Sequence, residues 1–127
     1  MALFCFFISF NIFAEWKIIE SSVMPSGYPE MDIYIDFDSL EKKNNIIGVW
    51  SLFDFNSNRK KHYPTAFYSI KTFQKINCKS KLNQLVQFSV HNGEMGNGEI
   101  INSNKNIQSW TQIELGSVNE IIWKKIC

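Results

Sequence analysis

Apolar and polar side chains alternate along most of this chain, and a period of two is typical of β-strands with one buried face. Polar segments, several containing proline or glycine, separate the alternating stretches, so neighbouring strands are expected to pair in an antiparallel sheet. The pattern predicts about six strands: Glu15–Ser22, Met31–Asp36, Ile46–Phe55, Ala66–Cys78, Leu82–His91 and Glu99–Asn102.

The segment 46–55 is the strongest of these strands because it is apolar on both faces. One face would carry Ile47, Val49, Phe53 and Phe55, and the other Ile46, Trp50 and Leu52. A strand of this kind is predicted to be central and covered on both sides. The alternation of the segment 82–91 assigns four residues to one face: Leu82, Val86, Phe88 and Val90.

The period changes near the carboxyl end. Ser117 is followed three residues later by Glu120, the spacing of a capping box, and Gly116 precedes it. Four apolar residues then fall on one helical face: Val118, Ile121, Ile122 and Ile126. The sequence therefore predicts an α+β fold, an antiparallel sheet with a C-terminal α-helix packed on it.

Composition limits the class of protein. The 127 residues include 45% hydrophobic and 15% aromatic residues, enough for a packed core in a single domain. Net charge is +1, from 13 basic and 12 acidic residues. This balance gives no reason to expect nucleic acid as a partner.

The first fourteen residues indicate export. Residues 1–13 are uncharged and mostly apolar, and they are followed by Ala14 and the charged Glu15. This pattern predicts a signal peptide at 1–14 and a mature domain at 15–127; a buried N-terminal strand is the alternative. The run is too short to span a membrane, and Cys5 lies too early to be a lipidation site.

Cleavage would leave two cysteines, Cys78 and Cys127. An even number in a small exported chain favours a disulfide, which would tie the helix to a long strand. Two buried free thiols are the alternative.

Candidate catalytic groups are few. His62 and His91 are interpreted as ordinary exposed histidines, and no cysteine or histidine pair has metal-ligand spacing. The glycine-rich stretch at 93–98 is interpreted as a hairpin turn rather than a phosphate-binding loop. The sequence predicts no enzyme, no cofactor and no metal site.

A basic segment is the best candidate for binding. It consists of Arg59, Lys60, Lys61, His62 and Tyr63 in a polar loop and could contact acidic proteins, glycans or lipid head groups. A solvated loop is the alternative. The tryptophans, including Trp110, are expected to lie mostly in the core.

Several short motifs together resemble one known family. Their order and spacing cover the mature chain: Trp16, Tyr34-Ile35-Asp36, Asp38-Ser39, Val49 to Phe55 (VWSLFDF), Tyr68 to Lys71 (YSIK), Cys78, Met95 to Gly98 (MGNG), Trp110, Gly116-Ser117 and Cys127. On these residues the chain is similar to the surface-adhesin protein E family of small exported Gram-negative proteins.

The resemblance implies a non-catalytic protein, exported to the periplasm or the cell surface, that binds host matrix or plasma proteins and can form a homodimer. The alternative is a periplasmic inhibitor or accessory protein with a bacterial partner. Capture of a small ligand such as haem through His62 or His91 is a third, weaker hypothesis.

Overall fold

The computed structural model describes residues 14–25, 29–55 and 68–127. These residues form eight strands and one α-helix: β1 (Trp16–Val23), β2 (Met31–Asp36), β3 (Glu41–Lys43), β4 (Ile46–Phe55), β5 (Ser69–Asn77), β6 (Leu82–His91), β7 (Ile100–Asn104), β8 (Thr111–Gln112) and α1 (Val118–Ile126). The strands pair antiparallel in the order β1-β2-β4-β5-β6-β7. The six-stranded antiparallel sheet and the C-terminal helix predicted from the sequence are confirmed.

Two short strands extend this order. β3 pairs with β4 alongside β2, and β8 pairs with β6 alongside β7. A single 3-10 turn, Phe37–Ser39, separates β2 from β3. The sequence missed both strands because three and two residues are too few to show an alternation.

The core lies between the sheet and α1. Its fully buried side chains are contributed by strands and helix alike: Ile33, Ile35, Val49, Ile76 and Ile122. α1 is held against the end of β5 by the predicted disulfide between Cys78 and Cys127, whose Cα atoms are 5.6 Å apart. The Trp123 indole also donates a hydrogen bond of 3.2 Å to the Cys78 carbonyl oxygen.

The start of α1 follows the predicted cap with one difference. The Ser117 hydroxyl accepts a hydrogen bond from the Glu120 amide at 3.2 Å, as a capping box requires. The Glu120 carboxylate, however, accepts from the Gly116 amide at 3.1 Å, because the Ser117 amide donates to the Glu114 carbonyl instead. The negative carboxylate therefore compensates the positive end of the helix dipole.

The loop of residues 92–99 lies over part of the sheet face opposite α1, as the two apolar faces of β4 had indicated. The Met95 amide donates to Asp54 at 2.9 Å, and the Gly96 amide donates to the Ser69 hydroxyl at 2.8 Å. Leu52 is 0% exposed on this face. The predicted hairpin turn is confirmed, since residues 92–99 connect the antiparallel strands β6 and β7, and the loop also folds back across β5 to reach β4.

A β-bulge in β6 also changes a predicted face. Phe73 pairs with Gln87 but its neighbour Gln74 pairs with Leu85, so one residue of β6 is passed over. Leu85 therefore lies on the same face as Phe88, and the prediction that Leu82 shares that face was wrong.

Candidate binding surfaces

The basic segment predicted as a binding site, Arg59 to Tyr63, lies outside the described residues. It stays a prediction. His62 belongs to the same segment.

His91 is buried rather than exposed, which corrects its interpretation as a surface histidine. Only 4% of its surface is accessible. Its Nε2 atom lies 2.7 Å from the Ser89 hydroxyl, two residues earlier on β6. Burial, and secondarily the positive charge of Lys71, lower the pKa of His91 below its ordinary value. This lowering favours the neutral imidazole.

The Ser89–His91 pair has the elements of a nucleophile and base but not their full geometry. In a serine triad, a carboxylate orients the histidine through its second nitrogen. The buried Nδ1 of His91 has no hydrogen-bond partner among the described residues. The pair is thus explained as a structural hydrogen bond within β6.

Two acidic side chains near the loop of residues 92–99 accept backbone hydrogen bonds and so have a structural role. Asp32 and Asp54 are cross-strand partners on β2 and β4. Asp32 accepts a hydrogen bond from the Ser22 amide at 2.9 Å, and Asp54 accepts the one from Met95. Burial, followed by these two carboxylates, raises the pKa of Tyr34 between them.

Within the described ranges, no group of three His, Cys, Asp or Glu side chains is arranged to hold a metal ion. In the same ranges, no helix combines the length and apolar character needed to cross a membrane.

An apolar surface lies at the β7 end of the sheet. β7 pairs with β6, and the described residues provide no strand on its other side. Ile100 and Ile101 in β7 are 59% and 45% exposed. The chain then continues in the same direction along β6, where the Gln108 amide donates to the Leu85 carbonyl at 2.9 Å.

This continuing segment carries two more exposed apolar side chains, Ile107 at 65% and, towards the other end of β6, Trp110 at 37%. We call the four residues Ile100, Ile101, Ile107 and Trp110 the β7 surface. Residues 100–112 contain a single charged side chain, Lys105. An uncharged strand edge flanked by large apolar side chains is a template for pairing with another chain.

The opposite end of the sheet is different. β1 carries Lys17 and Glu20, and its pairing with β2 is interrupted by two register shifts. Ser22 in this strand has a φ of +54°. Charges and irregular backbone are the usual means of protecting a sheet edge from further pairing.

The sequence missed the β7 surface. The strand itself was predicted, but aromatic residues were assigned mostly to the core, and Trp110 is exposed. The available signal was the near absence of charge around the isoleucines of residues 100–112. Apolar residues without charged neighbours are unusual on a solvated strand.

Comparison with known proteins gives a consistent result. A family model described as surface-adhesin protein E matches residues 16–127. A search of curated proteins found no match.

Solved structures of Haemophilus influenzae protein E are similar in fold. One crystal form has 17% sequence identity and a TM-score of 0.58, covering 84% of this chain and 91% of that one. A second structure has 16% identity and a TM-score of 0.56, covering 88% and 92%. A structure of the protein from non-typeable Haemophilus influenzae has 17% identity and a TM-score of 0.53, covering 84% and 78%.

Proposed function

Since this chain belongs to the surface-adhesin protein E family, we propose that it is a non-catalytic binding protein of the cell envelope that acts as an adhesin. Its partners are host matrix or plasma proteins, and its contact surface is the β7 surface. The observation that carries this proposal is the uncharged strand edge with two exposed isoleucines at one end of a sheet whose other end is protected.

Binding through a strand edge has a defined chemistry. An extended segment of the partner adds to β7 as a further strand, and main-chain hydrogen bonds supply part of the affinity. The apolar side chains of the β7 surface anchor alternate side chains of that segment. Ile107 and Trp110 supply apolar area of the kind that dominates protein interfaces.

A non-catalytic role is supported by the buried polar groups. His91 and Ser89 bond to each other, and Asp54 accepts from a backbone amide. These groups hold the sheet and its covering loop together and are not gathered in an open cleft. Export through the predicted signal peptide at 1–14 places the protein where such partners are found.

Surface plasmon resonance against immobilised laminin, vitronectin and plasminogen tests the proposal. We expect saturable binding to at least one of them. The double change Ile100→Asp with Ile101→Asp should weaken binding by about tenfold or more, because carboxylates would replace apolar side chains that the partner buries in the complex. Ile18→Asp is the matched control, since Ile18 is 52% exposed on the opposite edge.

Two outcomes would contradict the proposal. Binding that responds equally to changes on β1 and β7 would exclude the β7 surface. No saturable binding to any host protein would exclude adhesion to these partners.

The basic segment is tested separately. If Arg59 to Tyr63 contribute, Lys60→Glu with Lys61→Glu will weaken binding, and the effect will shrink at high ionic strength because screened charges interact less. An unchanged affinity would leave the β7 surface as the contact site.

A further inference from the structure

An apolar concavity lies on the helix side of the sheet. It has a volume of about 600 Å³ and opens beside the first turn of α1. Its floor is formed by side chains of β4, β5 and β6: Phe53, Phe55, Ile70, Phe88 and Val90. Pockets of this size with an aromatic and aliphatic lining are typical of small-molecule sites.

The mouth of this pocket carries an apolar side chain that faces water. Leu115 lines the pocket and is 88% exposed, although the buried Ile113 lies only two residues before it. Gly116 follows it with a φ of +79° and turns the chain into α1. An apolar molecule in the pocket would remove Leu115 from water.

Two hydroxyl groups beneath the pocket lack partners. Ser51 and Thr72 are cross-strand neighbours on β4 and β5, 0% and 9% exposed. Neither hydroxyl has a hydrogen-bond partner among the described residues. A buried hydroxyl without a partner costs free energy, so a ligand group that bonded to it would gain affinity. Thr72 lines the pocket. Rotation about its Cα–Cβ bond turns the hydroxyl toward the interior of the pocket.

The charges around the pocket define the class of ligand. Glu114 is the only charged side chain among its described lining residues. The amino end of α1 also lines the pocket, but the Glu120 carboxylate already occupies the Gly116 amide there. Among the described lining residues an anionic ligand would thus meet one carboxylate and no cation, whereas a neutral ligand meets no such penalty.

We propose that this pocket binds a neutral, mainly apolar small molecule with one hydrogen-bonding group. The aromatic and aliphatic floor holds the body of the ligand, and the Thr72 hydroxyl bonds its polar group. This site is independent of the β7 surface and of protein partners.

Fluorescence titration of the purified protein with N-phenyl-1-naphthylamine, a neutral aromatic amine, tests the proposal. We expect saturable enhancement at a single site. The anionic probe 8-anilinonaphthalene-1-sulfonate should bind about tenfold more weakly, and Glu114→Gln should narrow that difference. If the fluorescence of the neutral probe shows no saturable enhancement, the proposal is wrong. This result is expected if the chain's own residues fill the pocket.

Matched variants locate the site. Leu115→Asp changes an exposed residue and should leave the fold intact while weakening the neutral probe by about tenfold. Ile100→Asp places the same charge on the β7 surface and should leave probe affinity unchanged. Equal effects of the two would place the probe elsewhere and contradict the assignment.

Thr72→Val tests the hydroxyl. The change removes an unpartnered buried oxygen at nearly constant volume, so the free protein should become more stable while the probe binds several-fold more weakly. A purely structural role would change stability without changing probe affinity, which would overturn the role of Thr72. Because Ile100→Asp affects protein partners and Leu115→Asp the probe, failure here and failure of the proposed adhesin function can be told apart.

Discussion

Gly98 and Gly116 have almost the same backbone conformation, with φ of +77° and +79°, but different surroundings. A Cβ atom at Gly98 would lie 2.3 Å from the Asn92 Oδ1 atom, which accepts a hydrogen bond from the Glu99 amide. At Gly116 a Cβ atom would meet no described atom within 4 Å. Gly116→Ala therefore measures the conformational cost alone.

We expect Gly116→Ala to lower the free energy of unfolding by about 1 kcal/mol, the usual cost of a left-handed alanine. Gly98→Ala should cost about 1 kcal/mol more, because the Asn92 hydrogen bond must also break. Urea denaturation of both variants checks this. Equal losses of unfolding free energy in the two variants would show that the loop of residues 92–99 rearranges with no loss of stability.

His91 makes stability depend on pH. Its folded pKa lies below the ordinary value of 6.5, so the unfolded chain binds the proton more readily. Stability should be full above about pH 6.5 and fall as the pH drops from there towards the folded pKa.

Denaturation curves between pH 7.5 and 5 test this for His91→Asn. We expect the variant to lose less stability on acidification than the wild type over this range. Glu120 does not interfere, because its pKa, lowered by the Lys81 and Gly116 hydrogen bonds, lies below 4.5. A His91→Asn curve parallel to the wild type would contradict the prediction.

At the scale of elements, α1 is attached to the sheet by an ion pair as well as by apolar packing. Lys81 lies 2.6 Å from the Glu120 carboxylate, and its ammonium group lies 4.6 Å from the centre of the Trp123 ring. Glu120 is only 5% exposed. Lys124 also pairs with Glu120, but at 3.7 Å and with a side chain that is 66% exposed.

Lys81→Met should therefore lower the thermal unfolding midpoint by several degrees, because it leaves a buried carboxylate without its main partner. Lys124→Met should leave the midpoint nearly unchanged, as expected for an exposed pair. Differential scanning calorimetry checks both variants. A larger decrease in the midpoint for Lys124→Met than for Lys81→Met would indicate that the Lys124–Glu120 pair within the helix, and not the Lys81–Glu120 pair, holds α1 in place.

At the scale of the whole molecule, the disulfide joins two residues that are 49 positions apart. Replacing both Cys78 and Cys127 by Ala should lower the free energy of unfolding by about 4 kcal/mol, mainly by freeing the unfolded chain. Guanidinium denaturation measures the loss, and reduction of the wild type should reproduce it. A loss below about 1 kcal/mol would show that Lys81 and the core hold α1 without the disulfide.

The molecule as a whole also shows which elements local pattern predicts well. β4 and α1 were predicted because ten and nine residues give enough positions to establish a period. The three residues of β3 and the two of β8 gave no period. The bulge in β6 was missed because alternation on one strand carries no information about the register of its partner.

The sequence by itself determined the antiparallel sheet, the capped C-terminal helix, the Cys78–Cys127 disulfide and the resemblance to the adhesin family. The sheet, the helix and the disulfide follow from periodicity, capping spacing and cysteine count, and the resemblance follows from the order of short motifs along the chain. The tertiary structure was needed to show that His91 is buried, that the loop of residues 92–99 bonds to Asp54 and Ser69, and that Ile100 and Trp110 are exposed. Exposure depends on which distant segments pack over a residue, and one strand's own pattern does not contain that information.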